Sequence, residues 1–166
     1  MSLAASLLAR VTQGTDRNRA YTAGLLQDIG ELVLERFADA QRAHIESAVA
    51  AGMPRLAAEA ETLGLSHAEV GARLAQRWNF PELLVDTIRN HHTPERATVD
   101  AMLTNVVHLA AHVVEELERE RSGDARPGYS SDATALANLG LDAIALAGMH
   151  DSLERELEKA REFVEA

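Results

Sequence analysis

Apolar residues recur at three- and four-residue intervals along nearly the whole chain, and no stretch alternates apolar with polar positions as a half-buried strand does. The spacing predicts a short apolar helix over 3–12, closed by Gly14-Thr15-Asp16, and a longer one over 18–37 with a kink or break at Gly30. An amphipathic helix over 39–51 ends at Gly52, and Pro54 suits the first turn of a helix over 54–63 that Gly64 stops. Ser66-His67-Ala68-Glu69 has the form of a capping box, in which Ser66 and Glu69 satisfy orphan backbone donors reciprocally. The helix it opens carries His67, Val70, Gly71, Leu74 and Trp78 on one face. Asn79-Phe80-Pro81 ends that helix and starts another over 81–92, whose Leu84 and Ile88 lead to His91 and His92. Thr93-Pro94 closes it, because a residue before proline is pushed out of the α region. A long helix over 97–121 turns Met102, Val106, Leu109, Val113 and Leu117 inward. A loop at Ser122–Ser131 and helices over 132–139 and 142–165, the last with a charged outer face, complete the chain. The fold expected is all-α, a bundle of eight or nine helices forming a single domain over 1–166.

Composition agrees and narrows the function. The chain has 166 residues, 46% hydrophobic and 25% charged, with only 4% aromatic, which favours helix packing over sheet. A net charge of −10 speaks against nucleic acid, since a phosphate backbone requires a basic footprint. No apolar run approaches the roughly 18 residues of a membrane helix, and no signal-peptide pattern opens the chain, so no membrane partner is expected and the expected setting is cytoplasmic. The absence of cysteine excludes disulfides and thiolate chemistry. Met1-Ser2-Leu3 runs straight into helix without a natural start signal, as an expression leader over 1–3 would when joined to the interior of a longer protein.

Four residues carry candidate chemistry. "GLLQDIGELVL", residues 24–34, sets Asp28 beside a stripe of Leu25, Ile29, Leu32 and Val33, where a carboxylate must be paired, hydrogen-bonded or metal-bound. His67, His91 and His92 likewise lie on or beside apolar helix faces. A carboxylate and imidazoles converging from three helices form a ligand set for Zn, Mn or Fe, and such a centre activates water for attack on phosphorus. Each residue also has a plain structural reading. His67 follows a cap and can donate to a carbonyl, His91 and His92 suit the negative end of a helix, and Asp28 can meet an arginine or backbone amides. Adjacent in sequence, His91 and His92 are not expected both to aim at one point. His44, His108, His112 and His150 show no shared geometry and read as structural.

Read in order, "GLLQDIGELVL", "AETLGLSHAEVGARLAQRWNFPELLVDTIRNHHTPE" and "HLAAHVVEEL" resemble the HDOD domain, a branch of the HD metal-dependent phosphohydrolase superfamily, over about residues 3–165. The first segment corresponds to the family's G-L-L-H-D-I-G, with Gln27 where histidine is usual and Asp28 in place. The second matches at the acidic Glu61, then His67, Gly71, Trp78, Pro81 and the His91-His92 pair. In the third, Ala111 stands where catalytic HD proteins carry a metal-binding aspartate.

The resemblance implies an HD-like helical bundle. It also implies an N-terminal subdomain and a further histidine ahead of Leu3, which makes this chain the C-terminal part of an HDOD domain. A neutral amide at Gln27 and the methyl of Ala111 are poor replacements for metal ligands. What remains is Asp28 with up to three imidazoles, enough to hold one divalent transition ion (Mn, Fe or Zn) loosely. Direct pairing of Asp28 with His67 or His92, with no resident cofactor, is the expected arrangement. The function implied is a non-catalytic regulatory module with a degenerate metal site, acting through protein partners or a small ligand. The alternatives are a residual metal-dependent phosphodiesterase acting on a nucleotide or cyclic dinucleotide, for which Arg73, Arg77 and Arg89 form no phosphate clamp, and a dimerisation domain that makes a homodimer.

Overall fold

Caps and stop residues cut the chain into short helices, and two glycines decide how closely some of them approach. The computed structural model describes residues 1–12, 14–123 and 133–165. Among these lie ten α-helices: α1 (Ser2–Val11), α2 (Arg17–Leu26), α3 (Ile29–Phe37), α4 (Asp39–Ala50), α5 (Arg55–Leu63), α6 (His67–Arg77), α7 (Glu82–Asn90), α8 (Ala101–Ser122), α9 (Ala133–Leu139) and α10 (Ala143–Glu165). A 3-10 turn, Pro94–Arg96, follows α7, and no strand occurs among the described residues. From residue 124 onward, the predicted loop at Ser122–Ser131 lies outside the described residues. No described helix is long and apolar enough to cross a membrane. The chain divides into two compact units, a central one, Leu26–Ala101, and a terminal one made of Met1–Leu25 and Met102–Ala166.

In the central unit α3 packs on α6 and α6 on α7. A Cβ at Gly30 would overlap the His67 carbonyl oxygen, and one at Gly71 would stand 3.1 Å from the Gly30 nitrogen. The two backbones therefore meet with no side chain between them. Behind this contact Ala72, Ala75, Val85 and Ile88 form a small apolar core that Leu26, Ile29 and Phe80 flank. Burying Ile88 completely contributes about 1.5–3 kcal/mol of transfer free energy. α6 starts at the predicted capping box: Ser66 Oγ accepts from the Glu69 N–H at 3.3 Å, and the Glu69 carboxylate accepts from the Ser66 N–H at 3.1 Å. Gly64 ends α5 in the left-handed region at φ 79°, as its sequence position predicts.

The helix predicted over 18–37 is two helices, parted at Gln27-Asp28 rather than at Gly30. Gly30 lies inside α3, and its bareness serves close approach instead of a break. The turn at 27–28 resets the helical phase, so Leu25 and Leu32 of the presumed stripe are 63% and 66% exposed. α8 begins at Ala101, later than predicted, because the Asp86 carboxylate accepts the Thr98 and Val99 N–H groups at 2.8 and 2.9 Å and holds them out of the helix.

In the terminal unit α1 packs against α10, and Ala4, Ala5, Leu7, Leu8 and Ala9 are buried. α8 is buried all round from Leu103 to Ala110, with Val113 and Leu117 continuing the inner face as predicted. Asp16 caps α2 by accepting from the Asn18 and Arg19 N–H groups, both at 3.0 Å. Asp142 does the same for α10 through Ala145 at 2.7 Å.

Candidate functional site

Each candidate residue stands at a helix boundary within the central unit. Asp28 occupies the turn before α3, His67 is the first residue of α6, and His91 and His92 follow the last turn of α7. The Gly30–His67 backbone contact brings the first two boundaries together, and α6–α7 packing supplies the third. One ligand atom from each of Asp28, His67, His91 and His92 lies within 4.8 Å of the others. His67 and His91 are buried, Asp28 is half-buried, and His92 is exposed, so the cluster opens to solvent on the His92 side.

Both adjacent histidines reach the cluster, against the expectation for neighbours on a regular helix. His91 caps α7 with φ −62° and ψ −20°, His92 lies in the turn beyond, and the two ring centroids stand 4.1 Å apart. His67 Nε2 is 3.0 Å from His92 Nε2 and 3.9 Å from Asp28 Oδ1, and His91 Nε2 is 3.3 Å from Asp28 Oδ1. On their far sides the two buried rings each face an acceptor: His67 Nδ1 is 2.8 Å from Glu59 Oε2, and His91 Nδ1 is 2.8 Å from the Ile88 carbonyl.

Burial alone would push the Asp28 carboxyl up. Hydrogen bonds from His91 and Gln27, with the positive charge of the nearby imidazoles, outweigh it and hold the carboxyl at about 2. Burial likewise opposes charge on His67 and Glu59, yet their mutual hydrogen bond raises the first and lowers the second. Glu31 also stands near Glu59 and His67, and burial raises its carboxyl above the ordinary range.

The acidic residue singled out in the sequence, Glu61, is exposed on α5, whereas Glu59, two positions earlier, is 3% exposed and meets His67. Two glutamates within one helical turn cannot be told apart by motif position alone. What separates them is the packed fold, in which Ala58 and Glu59 are the buried residues of α5. Gly71 is buried in the α3–α6 contact, as described above, but Trp78 is 53% exposed and caps the end of α6. Gln27 is buried, and its Nε2 donates to Asp28 Oδ2 at 2.8 Å. The opposite amide orientation would set oxygen against carboxylate, so Gln27 Oε1 points away from Asp28 and, among the described residues, has no hydrogen-bond partner.

The donor chemistry fits a cation. His91 directs Nδ1 at the Ile88 carbonyl and Nε2 at the Asp28 carboxylate, 3.3 Å away. His67 and His92 set two ring nitrogens 3.0 Å apart. Such pairs repel unless a proton or a metal ion lies between them. Two ligands each about 2.1 Å from one ion stand roughly 3–4 Å apart, which covers the His67–His92, His67–Asp28 and His91–Asp28 separations of 3.0, 3.9 and 3.3 Å. Asp28, His67, His91 and His92 therefore suit one divalent ion.

A model of the HDOD domain family matches residues 1–94. The chain belongs to the HDOD family. Among solved structures, this HDOD chain is similar to a candidate phosphohydrolase from Shewanella amazonensis, at 31% identity and a TM-score of 0.69 over 93% of this chain and 55% of that one. It is also similar to an HDOD domain protein of unknown function from Geobacter sulfurreducens, at 26% identity and a TM-score of 0.73 over 96% and 58% of the two chains. A candidate signal transduction protein from Marinobacter aquaeolei shares the fold at 24% identity and a TM-score of 0.77, covering 93% of this chain and 34% of that one. A Treponema pallidum protein of unassigned function is 36% identical over 74 residues, 44% of this chain and 14% of that protein. The HDOD chain thus spans a little over half, or less, of the length of each of these relatives. The all-helical fold is the one the sequence motifs imply.

Proposed function

We propose that this HDOD chain is a non-catalytic signalling module in which Asp28, His67, His91 and His92 hold a single divalent first-row cation and output passes to a protein partner. The observation that carries the reading is the donor inventory: one carboxylate and three imidazoles within 4.8 Å of one another, beside a Gln27 amide that turns an N–H, not a lone pair, toward Asp28. That set serves one ion and lacks the additional anionic ligands of a two-ion hydrolytic centre. The neighbouring Glu31–Glu59–His67 group is committed elsewhere, since Glu59 accepts from His67. When bound, a divalent ion would supply Lewis acidity toward a small anion arriving at the open His92 side. The chain's own part is structural. Asp28, His67 and the His91-His92 pair stand where α3, α6 and α7 begin or end, so occupancy of the cluster bears on how firmly those helices are held.

A second reading, residual phosphohydrolase, is favoured by the solvent-exposed His92 edge and by the 31% identity to a chain described as a candidate phosphohydrolase. One experiment separates them. Protein purified without chelator is assayed for metal and titrated with Zn and Mn, and hydrolysis of bis(p-nitrophenyl) phosphate is followed with Mn present. The expected result is one equivalent of metal, lost in Asp28→Ala, kept in His112→Ala, and no hydrolysis. Two equivalents with turnover that Asp28→Ala abolishes would establish the hydrolase reading instead.

A further inference from the structure

Glu59 is buried on α5, and a single oxygen of its carboxylate accepts from both the backbone N–H of His67 and His67 Nδ1, each at 2.8 Å. The left-handed Gly64 turns the chain so that the first residue of α6 comes back to face α5, which makes this double contact possible. An ionised carboxylate only accepts, so Nδ1 must be the donor. A neutral imidazole has one N–H, and placing it on Nδ1 leaves the Nε2 lone pair directed at Asp28 and His92. The backbone bond keeps Glu59 from swinging aside, so ring orientation and tautomer are set by the same oxygen. His91 obtains the corresponding constraint from the Ile88 carbonyl, a main-chain group no substitution removes. Glu59 is thus the side chain on which the tautomer of a buried cluster imidazole depends.

We propose that Glu59 is a positioning residue that holds His67 in the Nδ1–H tautomer and thereby sets the cation affinity of the Asp28–His67–His91–His92 cluster. The affinity part rests on the one-cation reading above; the tautomer part does not. Carboxylates bonded to the far nitrogen of a ligating histidine typically change metal affinity by about 10–100-fold when removed.

The test compares the wild-type chain with E59Q, whose amide oxygen can still accept both N–H groups, and with E59A. Long-range 1H–15N spectra are recorded on chelator-treated protein at alkaline pH, where the ring is neutral, and zinc affinity is measured by titration calorimetry. The wild-type and E59Q proteins are expected to show the His67 proton on Nδ1, and E59A to lose that preference. Zinc binding is expected to weaken about 10-fold in E59Q and toward 100-fold in E59A, with helical circular dichroism unchanged in E59Q. An Nε2–H tautomer in the wild type, or zinc affinity in both variants within about twofold of wild type, would overturn the proposal. If the wild-type protein takes up no zinc, the one-cation reading fails, and the nitrogen spectrum alone decides for or against Glu59.

Discussion

Two pairs of imidazoles in this molecule stand equally close, and they come about in different ways. In the terminal unit His108 Nε2 and His112 Nε2 are 3.0 Å apart because residues four apart on α8 share a face. Their four-residue spacing carries that geometry, so His108 and His112 share a geometry that the sequence reading does not assign them. In the central unit His67 and His92 are also 3.0 Å apart, but they are 25 residues apart in the chain, one opening α6 and the other in the turn after α7. Their meeting requires a glycine contact, a cap, a helix end and a buried carboxylate to act together. Among the described residues, only this second pair belongs to a group of three or more potential metal donors. Proximity within one helix follows from local geometry, whereas convergence from several elements depends on the packed fold.

The sharpest way to break the central arrangement is Gly30→Val, which forces a branched side chain into the His67 carbonyl. Overpacking of this kind is expected to destabilise the protein by about 3 kcal/mol and to abolish metal uptake with it. Urea denaturation and metal analysis of the same sample read both effects, and near-wild-type stability would mean the backbones are not in contact.

A smaller effect follows from pH in chelator-treated protein. The Glu59 carboxyl is lowered from its ordinary 4.5, so its contribution is present above that value and fades as pH falls through the lowered folded value. His67 is raised from 6.5, so its contribution is complete below 6.5 and fades as pH rises through the raised folded value. Stability arising from this pair is therefore greatest between about pH 4.5 and 6.5, and His67→Gln is expected to flatten the alkaline limb. Thermal melts across the pH range check it.

The smallest effect has the opposite sign. Gly148, inside α10, has open space where a Cβ would go. Gly148→Ala is expected to stabilise the chain by about 0.5–1 kcal/mol through helix propensity. The same kind of replacement is thus tolerated in one unit and ruinous in the other, and a destabilised Gly148→Ala would remove that contrast.

Much of the fold was legible because its boundary signals are local. Ser66 and Glu69 announce α6, Gly64 ends α5, and Pro94 confines α7, each through contacts within a few residues. The four cluster residues were legible as candidates from their places on or beside apolar helix faces, and family resemblance strengthened the set, since nothing in their spacing states that three helix boundaries converge. What escaped depended on distant partners. Glu59 and Glu61 differ only in what α6 offers them, and Gly30 differs from an ordinary helix breaker only because the His67 carbonyl lies against it. Trp78 suits an apolar face by type, yet the chain turns at Asn79, which adopts φ 56°, and leaves the indole outside.

Because bare main chain at Gly30 abuts the carbonyl of His67, the start of α6 is registered on α3 by peptide units, while Glu59 orients the imidazole itself. A change at Ile29 or Ile88, whose methyl groups lie against Gly71, would reach this reference point, whereas apolar side chains remote from both glycines are freer to drift over evolutionary time. A lineage that keeps both glycines and their flanking methyl groups would keep the boundaries of α3 and α6 in register.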